Sequence, residues 1–189
     1  MVLAHTAHLR AITNRRSKTD KLDSQLLANL LRIDQIPLSY IPDDEYQYLR
    51  EITRHRARLS RLMSEAKNGL RAILGRNNIV APYRVPFGPR GLTWFAQQDF
   101  ASADNAVRDE LLDRIRHYRL QMSGIDKKLE ELKESYPQVE ALLDIRGIGL
   151  YLGLLIIAEI GDPERFRYAK QVGAYAGLTA KVNQSGDHA

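Results

Sequence analysis

LLDIRGIGLYLGLLIIAEIG, residues 142–161, is the stretch around which the chain is organised. Its centre is Ile145-Arg146-Gly147-Ile148-Gly149, and an apolar run of helical length follows. The pattern predicts one helix ending near Asp144, a tight glycine turn, and a second helix starting near Leu150. Glycine suits such a turn because it reaches positive φ at low cost and lets a partner approach the backbone. Amides at the start of the second helix would then be available to a phosphate. This is the pattern of a helix-hairpin-helix, with Gly147 and Gly149 as its DNA-backbone contacts. A plain αα-corner with a buried second helix is the alternative.

Outward from that stretch, charge is the next signal. The 189 residues carry a formal net charge of +5. The excess is uneven. Residues 45–76 hold eight basic side chains (Arg50, Arg54, Arg56, Arg58, Arg61, Lys67, Arg71, Arg76) against Glu45, Glu51 and Glu65. Residues 1–21 hold five against Asp20 alone. A balanced segment reads as a solvated helix face, whereas clustered arginine reads as a nucleic-acid backbone surface. Arg54, Arg58 and Arg61 are the candidates for that surface. The chain has no cysteine, which excludes a disulfide scaffold and thiolate metal sites. The longest apolar stretch, residues 148–158, is too short to span a bilayer. A soluble, cytoplasmic protein with no membrane partner is expected.

In order, residues 2–9 are short and partly apolar, like one β-strand without a visible partner. A helix follows, with Thr19 or Asp20 as its N-cap and Leu26, Leu27, Leu30 and Leu31 on one face. Asp20 and Asp23 share one side of its first turn. Acids there commonly offset the helix dipole. The alternative is a divalent-metal site, for which two carboxylates are too few by themselves. Pro37 and Pro42 break the helix and mark a domain boundary. Leu49, Ile52, Leu59, Met63, Ala66, Leu70 and Ile73 then form a heptad seam interrupted by Arg56. Gly75, Asn77 and Asn78 end that helix, and residues 78–101 form an irregular arm rich in proline and glycine. Trp94 and Phe95 read as local core, with base stacking as the alternative.

A second long helix, capped by Ser102 or Asp104, carries Leu111, Ile115, Tyr118, Met122, Ile125, Leu129, Leu132 and Tyr136 at alternating spacings of four and three. Two such helices predict an antiparallel coiled-coil hairpin, or else an intermolecular coiled coil. After the glycine turn, Asp162-Pro163-Glu164 opens a short helical turn and Gly177 ends the next helix. The last ten residues are polar, and Ser185 sits in a Ser-Gly turn.

Taken together, Lys18-Thr19-Asp20-x-x-Asp23, the long hairpin, Gly147-Ile148-Gly149, Glu159-Ile160-Gly161-Asp162, Phe166, Ala174-Tyr175-Ala176-Gly177-Leu178 and Gln184-Ser185-Gly186 resemble the IS110/IS1111-type transposases. The resemblance runs over essentially the whole chain and rests on the order and spacing of the motifs. It implies a mainly α fold in three parts. Residues 1–36 would be a remnant of an α/β RuvC-like nuclease domain, and residues 43–136 the coiled-coil hairpin with its arm. Residues 137–189 would be a compact helical transposase domain with the helix-hairpin-helix. By the same resemblance, Asp20 and Asp23 match the last two acids of a DEDD set that holds Mg2+, and Ser185 matches the serine nucleophile. DNA is the implied partner, with a structured guide RNA in those members that use one, in a homo-oligomeric active assembly. The function so implied is DNA recombination that mobilises an insertion sequence.

The chain departs from the family pattern. No acid precedes Asp20, and Ser24 stands where alanine is usual. Four residues follow Ser185. The expectation is a fragment that keeps nucleic-acid affinity and lacks recombinase activity alone. Two other readings compete: a non-enzymatic helix-hairpin-helix binding module, and a coiled-coil assembly protein. Salt separates these two, because phosphate binding weakens steeply as salt rises. Reversing the charge of Arg54, Arg58 and Arg61 together is expected to remove most of the affinity for duplex DNA in an equilibrium binding titration.

Overall fold

The computed structural model describes residues 3, 4, 9 and 20–178. Ser185 therefore lies outside the described residues. The chain divides into two compact units, Met1–Asp43 and Asp44–Ala189. Its described residues are mainly helical, and no strand longer than a single bridge occurs among them.

In the first unit, helix α1 runs Asp20–Arg32. Leu30 is buried and Leu26 half-buried, while Leu27 and Leu31 are exposed. The expected four-leucine face is thus narrower, because only the Leu26–Leu30 row meets other atoms. Asp34 ends the helix in the left-handed region, at φ 53°. Gln35 N–H donates to Leu30 O (2.9 Å) and Asp34 N–H to Leu31 O (3.2 Å), a Schellman closure made without glycine. Ala4 pairs with Leu38 in an isolated antiparallel bridge, and Ser39 N–H donates to Leu3 O at 2.8 Å. The proline-bearing linker therefore gives the chain start the partner that sequence patterning left open.

The second unit is built on α2 (Asp44–Arg76) and α4 (Ser102–Leu132). They run antiparallel: Arg76 at the end of α2 pairs with Asp104 in the first turn of α4, and Leu49 shares a core with Leu129. Their apolar stripes meet as the seven-residue spacing predicts. One cluster joins Ala66, Leu70 and Ile73 to Leu112 and Ile115, and α3 (Pro89–Gln97) adds Phe95 to it. Phe87 stacks on Phe95, with ring centroids 5.6 Å apart and planes 9° from parallel. Phe95 is fully buried, so it is core. The other cluster joins Leu49 and Leu129 to Tyr136, to Val139 of α5 (Val139–Leu143), and to Leu154, Ile157 and Ala158 of α6 (Leu150–Ile160).

Helix ends differ in detail from expectation. Asn78 closes α2 at φ 55°, with Ile79 N–H donating to Leu74 O at 3.0 Å, while Gly75 stays inside the helix. Ala101 is the N-cap of α4 and offers no side-chain bond, so neither Ser102 nor Asp104 caps it. Asp104 instead accepts from Arg76 and Asn77, which tie the two ends of the hairpin. A final short helix, α7 (Ala169–Tyr175), stops at Gly177, φ 73°.

Gly91 is buried, and a Cβ there would lie 1.8 Å from Pro86 O, a collision with backbone. At Gly88 the nearest atom to a Cβ would be 3.4 Å away. Gly91→Ala is expected to cost about 2–4 kcal/mol in chemical denaturation, while Gly88→Ala stays within about 0.5 kcal/mol.

Candidate nucleic-acid interface

The glycine turn folds as its spacing demands. Helix α5 ends at Leu143, and Gly147 takes φ 97°, where a side chain would be strained. Nothing lies within 4 Å of a Cβ built there, so conformation alone requires this glycine. Gly149 is the extended N-cap of α6 and offers no side-chain bond. Its carbonyl accepts from Gly153 N–H at 2.9 Å, so the amides of Leu150, Tyr151 and Leu152 have no intrahelical acceptor. Gly153 faces α5, where a Cβ would lie 2.8 Å from Val139 Cγ2. A side chain here would push the two helices apart.

The surroundings of this helix start are of mixed charge. A cleft of about 400 Å³ is lined by Arg56, Asp126, Glu130 and residues 149–152. Arg56 is the polar interruption of the α2 seam, and it stays within the fold. It donates to Asp126 Oδ1 (3.0 Å) and Oδ2 (3.4 Å), and its guanidinium lies 4.2 Å from the centre of the Tyr151 ring. Burial pushes the Tyr151 hydroxyl above its ordinary value, and Arg56 acts against that rise. The positive end of the α6 dipole therefore looks toward one neutralised carboxylate and toward Glu130. Gly147 and Gly149 are exposed.

At the other end of α6, Arg50 donates to Ala158 O (3.1 and 2.8 Å) and to Glu159 O (3.1 Å). A cation here satisfies carbonyls that the helix leaves unpaired and complements its dipole. Arg54 grips Glu159 with two bonds, 2.6 and 2.8 Å. These bonds hold the Glu159 carboxyl below its ordinary range, with the charges of Arg54 and Arg50 adding to the effect. Sequence reasoning missed this clamp. Its signal was available: a lone glutamate in an otherwise apolar helix needs a cation.

Of the three candidate arginines, Arg58 and Arg61 are exposed and form no ion pair among the described residues. With about 100° per residue, they share a stripe of α2 with Arg54, opposite the seam. Arg54 keeps 62% of its side chain exposed, but one edge of its guanidinium is held by Glu159. Asp20 and Asp23 open α1, where Asp23 is exposed. No group of three metal-capable side chains occurs among the described residues. No helix among the described residues is long and apolar enough to cross a membrane.

Two family models match the chain. The IS110 DEDD model, described as "Transposase", covers residues 1–78, and "Transposase IS116/IS110/IS902 family" covers residues 139–189. The chain belongs to the IS110-type transposases. A Sinorhizobium fredii protein whose name describes it as transposase y4qE is 22% identical over 178 residues, which is 91% of this chain and 42% of that protein. A Pseudomonas aeruginosa protein whose name describes it as a family 20 transposase is 24% identical over 193 residues, 97% of this chain and 57% of that protein. The chain spans about half the length of these curated relatives. No solved structure matches it.

Glu159 ordinarily titrates at 4.5, and its folded value lies lower. Its stabilising effect is therefore complete above the ordinary value and is lost as pH falls through the lowered one. Thermal melts from pH 7 down to pH 2 should show a steeper acid decline for wild type than for Glu159→Gln.

Proposed function

We propose that this chain is a DNA-handling part of a transposase that mobilises an insertion sequence. One observation carries the reading: two IS110-type models match in family order, at residues 1–78 and 139–189, on either side of the arm and the second hairpin helix. In this reading residues 1–36 belong to a RuvC-like domain, residues 43–136 form a coiled-coil linker, and residues 137–189 form the transposase domain. The turn at Gly147 and Gly149 acts as a helix-hairpin-helix that receives DNA phosphate on its amides. Arg54, Arg58 and Arg61 hold backbone along the outer stripe of α2, with Arg58 and Arg61 the more available pair.

In the whole protein, Asp20 and Asp23 are the ligands this chain contributes toward Mg2+, which would polarise a phosphate and stabilise the charge formed in transfer. Further ligands are needed to complete such a site. Ser185 is the residue whose hydroxyl would attack phosphorus, breaking one P–O ester bond of the strand, releasing one DNA end as a free hydroxyl and holding the other as a phosphoserine ester. A structured guide RNA and a homo-oligomeric assembly complete the reading, and both follow from the family resemblance.

The test is a salt titration of binding to duplex DNA and to structured RNA, with wild type beside Arg58→Glu/Arg61→Glu. Arg54 is left in place because it also holds Glu159. Each phosphate contact contributes about −0.9 to the slope of log K against log salt for duplex DNA. The double variant should therefore lose about two in slope and most of its affinity. A slope equal to wild type would remove the outer α2 stripe from the interface.

A further inference from the structure

Most arginines on the hairpin have a carboxylate partner. Arg56 has Asp126, Arg76 has Asp104, and Arg116 has Asp113. Lys67, Arg71 and Arg119 form an exception. They converge on Phe87 from both long helices, and none of the three pairs with a carboxylate among the described residues. The Arg71 guanidinium lies 4.7 Å from the ring centre and the Lys67 ammonium 5.9 Å from it. Arg119 donates to the Phe87 carbonyl. Arg71 takes a neutral acceptor, Asn68 Oδ1, at 2.6 Å. The carboxylates of the groove that Arg119 borders are Asp126 and Glu130. They lie about two and three turns further along α4, and Asp126 is already held by Arg56.

Packing accounts for two of the three cations. Arg71 lies over an aromatic ring and Arg119 ties the arm to α4. Lys67 is held least: its ammonium stands over the same ring at 5.9 Å, farther than Arg71, and it has no hydrogen-bond partner among the described residues. Lys67 and Arg71 are four apart on one helix, where like charges repel. The Lys67 amine is pushed below its ordinary value by partial burial first, then by Arg119 and Arg71. Three positive charges held together without an acid are disfavoured in the free protein and relieved by an anion. This group is distinct from the outer stripe: about 100° per residue turns Lys67 and Arg71 onto the edge of α2 beside α4, well away from Arg58 and Arg61.

We propose that Lys67, Arg71 and Arg119 form a phosphate site at the edge of the helical hairpin, and that it holds a backbone phosphate of nucleic acid. The choice of nucleic acid rests on the function proposed above; the phosphate chemistry does not. Guanidinium and ammonium donors from two helices can take different oxygens of one phosphate.

The experiment uses the full chain with three probes: a 20-bp DNA duplex, an RNA hairpin of equal charge, and sodium tripolyphosphate. Wild type, Lys67→Gln and Lys67→Arg are compared, because Lys67 is the cation least engaged by packing. Lys67→Gln should weaken binding of one polymer about fivefold and lower its salt slope by about one, with Lys67→Arg near wild type. The polymer with the larger slope loss identifies the source of the phosphate. Tripolyphosphate should raise the melting temperature of wild type more than that of Lys67→Gln. Polymer binding with equal slopes in wild type and Lys67→Gln overturns the site and leaves the proposed function standing. If wild type binds neither polymer, while tripolyphosphate stabilises it and not Lys67→Gln, the site stands and the nucleic-acid reading falls. Equal or absent stabilisation by tripolyphosphate, with no polymer bound, overturns both.

Discussion

The helix Leu150–Ile160 has almost no polar face, and the second unit is arranged to enclose it. From Leu150 to Ala158 its side chains are apolar apart from the Tyr151 hydroxyl, and Glu159 is its one charge. A helix of this kind must be surrounded by other elements. Gly153 lets α5 approach on one side, while α2 and the end of α4 cover others. Leu154 and Ala158 are fully enclosed. The polar groups left over are then matched individually: Arg50 takes the terminal carbonyls and Arg54 takes Glu159. The orientation of the glycine turn follows from that enclosure, because α6 cannot rotate without exposing apolar surface or breaking the arginine clamp.

The hairpin that encloses α6 also sorts the positive charge. Apart from Arg76, which pairs with Asp104, the arginines and Lys67 of α2 fall into three groups by what they meet. Arg50, Arg54 and Arg56 face α6 or the groove and meet carbonyls or carboxylates. Arg58 and Arg61 are exposed and form no ion pair among the described residues. Lys67 and Arg71 lie at the edge near Phe87 and meet another cation, Arg119, from α4. A single arginine-rich helix thus does packing work at both ends, through Arg50, Arg54 and Arg76, and presents unneutralised charge along its back and at Lys67 and Arg71. For a member of the IS110-type transposases, this separates residues that hold the fold from those available to a polyanion.

Much of this was legible in the residues. The glycine turn, with a helix ending before Asp144 and another opening at Leu150, is where the Gly-Ile-Gly spacing put it. The seams repeating every seven residues offered pairing within the chain or between chains, and the fold takes the first; Gly177 ended its helix as expected. Less legible was the stop at Asp34, since aspartate also suits helix starts and turns, whereas Asn78 closes α2 within the stretch its residues marked. The cap of α4 was misplaced because Asp104 is engaged by Arg76 and Asn77, partners 28 and 27 residues away in sequence. Local patterning carries no record of such a partner. Leu27 and Leu31 share a periodic face with Leu26 and Leu30, yet how wide a stripe is covered depends on what else is packed there.

By itself the sequence determined which segments are helical, where the chain turns sharply, that two long helices carry apolar seams suited to pairing within or between chains, and to which family the chain belongs. These are properties of short-range spacing: glycine where φ is positive, apolar residues at three and four, and motifs in a set order. Only the tertiary structure decided which arginine serves which purpose. Arg54 and Arg58 lie on one stripe and are chemically identical, but α6 places Glu159 beside the first and nothing beside the second. Lys67, Arg71 and Arg119 are up to 52 residues apart in the chain and come together at Phe87 only once the hairpin and arm have closed. The physical reason is that charge acts through space, so the role of a cation is set by neighbours that the fold, and not the local sequence, supplies.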